Sequence, residues 1–459
     1  MTIPDNIKKY RERYSVGTAW QLSAGTIDGV DNVVVIPALA ESGHLFGTLA
    51  SLADNPPRDL VRTLVLCVVN NRSPHHTPPE ECADNQVTLS ILRDLGDGKM
   101  PETPGYNHSL STFLKKILRS NLKTAYVDAS SPGHEMPDKT GGVGLARKIG
   151  LDLALNVFDY EKNGVNVLFS LDADTLVEKN YLSAVRSFFE KEQHHAAVIE
   201  FSHQIPEDPH EQAAIYCYEM FLRYYILGLY FAGSPYVIHS VGSTIVCSAD
   251  GYAAVRGMNK RKAGEDFYFL NKIAKIKGIG VIDTTRVYPS SRVSSRVPFG
   301  TGRRVIRFLN GEYPEHLLYD PAVFVIVKQW LEYVVSHPEA DEDTIIHRAR
   351  EIHPSLEEFL GHQRFHDVWR RLKKNSRSPS ILVRHFLSWF DGFKTLKLIN
   401  YLTRNGIPPI DMFRALRQLL EMMGKGTQLT VGTDGVPSLQ IQAEILDCLR
   451  HVEHEVRTG

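Results

Sequence analysis

Three stretches of this 459-residue chain carry residue types that do chemistry together. The first is Asp172-Ala173-Asp174, which ends a short apolar run built from Val165, Val167, Leu168, Phe169 and Leu171. Such a run reads as a buried strand. In an open α/β sheet, ligands bind outside the carboxyl ends of the strands, so two carboxylates placed there face a crevice. A hard divalent cation, Mn²⁺ or Mg²⁺, neutralises such a pair and shares its oxygens with substrate phosphates. A solvated turn whose Asp caps the following helix is the plainer alternative. The second stretch is Gly264-Glu265-Asp266, which opens a helix with Phe267, Leu270, Ile273 and Ile276 on its apolar face. Carboxylates in a first helical turn are also simple partners of the helix dipole. The third is SSRVSSRVPFGTGRR, residues 290–304. Its Arg292, Arg296, Arg303 and Arg304 can make bidentate bonds to phosphate, and Gly300 and Gly302 suit a closing loop, although solvated surface is equally common for such a segment.

The elements needed to position these groups follow from the apolar pattern. Asn32–Ile36 is a β-branched run stopping at Pro37, followed by an amphipathic helix near His44–Ala53. Thr63–Val69 and Lys123–Val127 repeat the strand pattern, with a polar, Pro-rich insertion between them that has helical spacing near 84–95 and 110–118. Gly141-Gly142-Val143-Gly144 then enters a helix bearing Arg147. These glycines do not form a dinucleotide fingerprint; they mark either a plain loop before a helix or a close approach to a ligand. Alternating strands and helices imply a mostly parallel sheet covered on both faces. Beyond Asp174 come the run Ala196–Phe201, an aromatic helix over 213–231 and a strand at Ser243–Cys247. From about Phe308 the pattern is helical, without a catalytic constellation, and His347, His353, His362, His366 and His385 show no metal-ligand spacing. The expected domains are an N-terminal extension over 1–29, an α/β domain over 30–305 and a helical accessory domain over 306–459.

The composition is that of a globular protein, with 43% hydrophobic and 23% charged residues. A net charge of -1 gives no electrostatic footprint for nucleic acid. Five cysteines, widely spaced and without a C-x-x-C pair, suggest neither a zinc site nor a disulfide framework. The charged N-terminus lacks a secretory core, and the aromatic helix, interrupted by Glu219 and Arg223, falls short of a membrane span. A cytoplasmic protein is expected, with peripheral contact with the inner face of a membrane as a further reading. That contact would come from the aromatic stretch Tyr216–Tyr236, whose alternative role is core packing.

Taken in order, VVVIPALAES, GLARKIGLDLAL, LDADTLVEKNYL and GSTIVCSADGYAAVRGMNKRKAGEDFYFLNKIAKIKGIG resemble the motifs of the family 2 glycosyltransferases, across roughly residues 30–305. The resemblance implies the GT-A fold, a Rossmann-like, mostly parallel mixed sheet with helices on both faces. It also implies a nucleotide-sugar donor and a divalent metal, Mn²⁺ or Mg²⁺, on the D-x-D. Asp174 would bind that metal with Asp172, which also lies near the ribose. Donor contacts would come from Pro37, Ala38, Glu41, Asn70 and Arg147, with Arg292 and Arg296 closing on the phosphates. Gly242, Ser243 and Glu265 would line the acceptor side, and Asp266 would be the base of an inverting transfer, beside Glu265. Where the family commonly carries an acidic turn holding the nucleoside, this chain has Asn70-Asn71-Arg72-Ser73. Asparagine can still bond a base or ribose through its donor and acceptor groups. UDP is the favoured nucleotide by the resemblance alone, and the acceptor would be a carbohydrate or a lipid-linked sugar.

Two rivals differ in class. A sugar nucleotidyltransferase would show a basic, Gly-rich loop after the first strand, and Pro37-Ala38-Leu39-Ala40-Glu41 has neither lysine nor arginine. An inactive GT-A-like binding module would have no need to keep Asp172, Asp174 and Asp266 together.

Overall fold

In the computed structural model, which describes residues 3–23, 27, 29–101, 108–161, 164–294, 300–312, 314–426 and 436–458, the chain divides into two compact units. The first holds Met1–Gln204 and Ser240–Ser290, the second Ile205–His239 and Ser291–Gly459. This division departs from the expected one at two places. The N-terminal extension belongs to the α/β unit, and the aromatic helix belongs to the helical one.

The apolar runs of the first unit become β1 (Leu22–Ser23), β2 (Asn32–Ala38), β3 (Thr63–Asn70), β4 (Lys123–Ala129), β5 (Val167–Ser170), β6 (Leu176–Val177), β7 (Ala196–Phe201), β8 (Ile245–Ser248) and β9 (Gly280–Tyr288). Among the described residues they form one sheet in the order β1-β4-β3-β2-β5-β8-β7-β9-β6. The long registers, β4-β3-β2-β5 and β7-β9, are parallel, while the antiparallel pairings of β1, β6 and β8 are short. Every residue of β3 is buried, which requires cover on both faces of the sheet. The result is the expected mixed, mostly parallel α/β sheet. β2 continues one residue beyond Pro37, because its pairing with β5 ends at Val35↔Ser170 and leaves the proline at an edge of the ladder. Ser243 lies in a short 3₁₀ turn, Gly242–Thr244, that precedes β8 and takes the place of the strand start expected there.

The helix Val143–Ala154 is buried from Gly144 onward and packs on β2 and β3. Gly150 permits this approach: a Cβ there would stand 2.3 Å from Val35 Cγ1 and 2.9 Å from Val68 Cγ2. The N-terminal helix Asp5–Tyr14 is tied to the same element. Tyr10 and Tyr252 both donate to Asp152 Oδ1, at 2.6 and 2.7 Å, and Val16 N–H donates to Oδ2 at 2.8 Å. Lys148 Nζ completes the cluster, 2.7 Å from the Tyr10 hydroxyl and 3.0 Å from Asp152.

The second unit is a helical assembly around Trp330, whose ring meets Phe365, Phe386 and Phe390 edge-on. The aromatic helix, Pro209–Phe231, buries Cys217, Met220, Tyr224, Ile226, Leu227 and Leu229 in this core. Its Gly228 is pressed against the Phe324 ring, with only 2.3 Å between an added Cβ and Cζ. This packing accounts for the buried members of the aromatic stripe, while Tyr230 stays exposed. Arg223, fully buried, pairs with Glu219 at 2.9 Å and Glu453 at 2.7 Å, joining this helix to the last one, Leu439–Thr458. No helix of the described residues is long and apolar enough to cross a membrane.

Candidate active site

Beyond the carboxyl end of β5 the chain makes a fixed turn. Leu171 N–H still bonds Val35 O at 3.1 Å, and Thr175 N–H closes the turn on Asp172 O at 3.2 Å. The buried Thr48 hydroxyl holds the middle of the D-x-D by donating to Ala173 O at 2.9 Å, and Gln204 Nε2 donates to Asp174 O at 2.9 Å. Asp172 and Asp174 are both half-buried there.

Arg147 sits at the centre of the site. Its Nη2 pairs with Asp172 Oδ1 and its Nη1 with Glu265 Oε1, and the residue is only 3% exposed. Burial alone would lower the guanidinium pKa, but Asp172 and Glu265 more than reverse this and raise it, so the charge is permanent. The second oxygen of Asp172 accepts from Ser243 Oγ at 2.5 Å, and Ser243 Oγ lies 3.0 Å from Thr175 Oγ1. Charge repulsion within the D-x-D is thus relieved on the Asp172 side by an arginine of the same chain.

The glycines near Arg147 allow close approach, of backbone to backbone and of the guanidinium to backbone. At Gly144 a Cβ would stand 2.3 Å from Arg261 O and 2.9 Å from Glu265 Cβ, and at Gly142 it would stand 2.9 Å from Lys262 Cα. At Gly242 it would meet Arg147 Nη2 at 2.3 Å. Of the two readings of the Gly-rich segment, the structure shows a close approach, but to the 259–265 loop of the protein itself. That loop ends at Gly264, whose φ of 70° starts the helix Glu265–Lys277. Asn259 Nδ2 fixes the first turn by donating to Glu265 O at 3.1 Å.

Asp266 is half-buried and accepts from Phe267 N–H at 2.7 Å. Burial, then the adjacent Glu265 carboxylate, raise its pKa, and Arg147 only partly opposes them. The group is pushed up to about 7. Glu265 itself is buried and spent on Arg147. Motifs up to 118 positions apart therefore meet: Asp172 and Glu265 pair with one guanidinium, Gly242 packs against it, Ser243 holds the other oxygen of Asp172, and the Asp266 charge acts on it from the next position.

At the ends of β2 and β3 the chain turns through Ala40, a non-glycine residue with φ 51°. Asn85, fully buried, accepts from Ala40 N–H at 2.9 Å and donates to Asn70 O at 3.1 Å and Asn71 Oδ1 at 2.8 Å. The side-chain Oδ1 of Asn70 is buried without a partner among the described residues. Pro37 and Ala38 end β2, and Glu41 is buried just beyond. Asp138 supplies a carboxylate to the following turn, accepting from Ser73 N–H and Oγ at 3.1 Å each. Asn85, Asp138, Thr48 and Thr175 carry no sequence signal, since each acts through side-chain bonds to residues 14 to 125 positions away.

Arg296 lies outside the described residues. Arg292 is half-buried and belongs to the second unit, as do Arg303 and Arg304, which pair with Glu312 at 3.3 Å and Glu315 at 3.0 Å. Among the described residues, no group of three or more His, Cys, Asp or Glu side chains is arranged to hold a metal ion.

No family model and no curated protein matches the chain. Among solved structures it is similar to S. aureus TarS 1-349 in complex with UDP-GlcNAc, at 15% identity over 94% of this chain and 92% of that one, with a TM-score of 0.34. GalNAc-T7 with UDP, GalNAc and Mn²⁺ matches at 13% identity over 68% of this chain and 51% of that one, TM-score 0.30. Mannosyltransferase PcManGT from Pyrobaculum calidifontis, in complex with GDP-Man and Mn²⁺, matches at 12% identity over 97% and 91%, TM-score 0.35. At such identities and scores, the reading of the site rests on the chain's own residues.

Proposed function

We propose that this chain transfers a glycosyl group from a nucleoside diphosphate sugar to an acceptor hydroxyl, with inversion at the anomeric carbon. The observation that carries this reading is that Asp172 of the strand-end D-x-D and Glu265 of the helix start both pair with the buried Arg147, beside Asp266, whose pKa is raised to about 7. A general base works best when its pKa lies near the operating pH. Asp266 in this role accepts the proton of the acceptor hydroxyl as that oxygen attacks opposite the leaving diphosphate. Glu265 and Arg147 are positioning residues: the pair locks the first turn of the helix and the guanidinium between the two motifs. Ser243 and Gly242 border the acceptor side.

A divalent cation fits the remaining carboxylate. Mg²⁺ commonly takes one or two protein carboxylates and completes its shell with substrate phosphates and water, so the lack of a preformed three-ligand cluster is no obstacle. Asp174 would be its principal ligand, with Asp172 beside it. When bound, the metal would neutralise charge on the departing diphosphate. Asn70, with its unpartnered buried oxygen, and Pro37, Ala38 and Glu41 would hold the nucleoside end, for which UDP is the favoured choice. The acceptor is a carbohydrate or lipid-linked sugar.

A thermal-shift screen of nucleotide sugars with and without Mn²⁺ tests the reading, because a ligand selective for the folded state raises its stability by mass action. A shift for one nucleotide sugar that needs both the metal and Asp174 supports it. A set of flat responses across UDP-, GDP- and dTDP-sugars refutes it.

A further inference from the structure

The chain's net charge of -1 conceals a strongly uneven distribution in the second unit. Between Val368 and Phe390 the sequence holds Arg370, Arg371, Lys373, Lys374, Arg377 and Arg384 and no Asp or Glu. These residues occupy the helix Phe365–Lys374, a short connection and the helix Pro379–Trp389. The first helix buries Phe365, Val368 and Trp369 and turns Arg370, Arg371 and Lys374 outward, the spacing of one helical face. The second buries Leu382 and Phe386, with Arg384 exposed, and Arg377 is exposed in the connection. The helices pack through Trp369 and Phe386, whose ring centroids are 6.0 Å apart.

Neighbouring acids reach only the margin of this face. Glu342 lies 3.4 Å from Arg370, Asp367 pairs with Arg364 at 3.1 Å, and Asp343 with His366 at 3.5 Å. Lys373 bends back to the carbonyls of Glu339 and Ala340. Among the described residues, Arg371, Lys374, Arg377 and Arg384 have no carboxylate partner. Cations in a last helical turn complement the helix dipole, which accounts for Arg371 and Lys374 but not for Arg377 and Arg384. Beside the second helix, half-buried Trp389 has Lys394 Nζ 4.8 Å from its ring centre, and Phe393 has Lys397 Nζ at 4.5 Å.

We infer that this face, centred on Arg371, Lys374, Arg377 and Arg384, docks the second unit on an anionic lipid bilayer. The four cations are exposed and lack a carboxylate partner among the described residues, so each can sit among anionic headgroups, and Lys and Arg stems tolerate the interfacial region. Trp389 at the border belongs to the residue type that partitions into that layer. The inference concerns a surface and does not depend on the reaction assigned to the first unit.

The test is co-sedimentation of the full chain with phosphatidylcholine vesicles, with and without roughly 30 mol% phosphatidylglycerol, in roughly 0.1 M and 0.5 M salt. The protein is expected to pellet with the anionic vesicles at low salt and to be released at high salt. The quadruple variant R371Q/K374Q/R377Q/R384Q is expected to bind roughly 10³-fold more weakly, since each cation near such a surface contributes about fivefold. Its circular dichroism and unfolding midpoint should match the parent, because all four side chains are exposed. Failure of the parent to pellet, equal pelleting with neutral vesicles, or unchanged binding by the quadruple variant overturns the inference. So does tighter binding of the same face to a labelled RNA or DNA oligonucleotide than to the vesicles, which would make the partner a nucleic acid.

Discussion

Replacing Asp266 by Asn should make the protein more stable and less active, and the two effects have one cause. Folding raises the Asp266 pKa from 3.8 to about 7 through burial and the neighbouring Glu265. A carboxyl group held this way binds its proton more tightly in the folded chain than in the unfolded one. Stability therefore falls as pH rises from about 4, and the whole cost is present above about pH 7. At about 1.4 kcal/mol per pH unit, the ceiling is roughly 4 kcal/mol. Solvent reaches this half-buried group, and Arg147 and Glu265 share its field, so about 1–2 kcal/mol is the expected gain from Asp266→Asn at pH 8. At pH 4.5 the variant and parent should be close to equal. Urea unfolding at the two pH values measures the difference. Turnover with the nucleotide sugar found by thermal shift should drop about 10²–10⁴-fold, and in the parent kcat/KM should rise with pH through about 7. A variant equally destabilised at both pH values would show that Asp266 is a structural carboxylate, and near-normal turnover would remove it as the base.

Arg147→Met leaves Asp172 and Glu265 facing each other without their shared cation; a loss of about 3–5 kcal/mol by urea unfolding is expected, largest at neutral pH, where both acids are charged. Gly144→Ala drives a methyl group into Arg261 O and should cost about 1–3 kcal/mol, with a fall in turnover because the Glu265-Asp266 turn is displaced. Asp174→Ala should abolish metal-dependent donor binding by calorimetry while the unfolding midpoint stays within a degree or two of the parent's, that is within about 0.5 kcal/mol; full activity of the variant would sink the metal assignment.

The strand-end D-x-D and the Glu-Asp helix start were readable because local patterns encode them: an apolar run ending in acids, and acids opening an amphipathic helix. What joins them was not readable. Arg147 reaches Glu265 across 118 positions of sequence and Asp172 across 25, and Thr48 reaches Ala173 across 125. No local periodicity reports such pairings. The same limit explains the metal argument. Two acids in sequence called for a cation, and the structure supplies one for Asp172 from a distant helix. The aromatic pattern predicts the helix, but its allegiance to the second unit is set by Phe324 and the C-terminal helices, which its own sequence does not mention.

The helix carrying Arg147 is bolted on its other flank by the N-terminal segment, where Tyr10 and Val16 close over Asp152 beside Lys148. Gly257, with φ 66°, leaves room for the Tyr10 hydroxyl at a distance where any Cβ would collide. A fragment cut at the first long strand would therefore strip the cover from buried Lys148, next in sequence to the arginine that organises the carboxylates, and from Asp152 one helical turn further on. Such a fragment would be a poor choice for crystallisation or assay even though it retains every residue of the site. The working boundary of the α/β unit therefore lies ahead of Asp5.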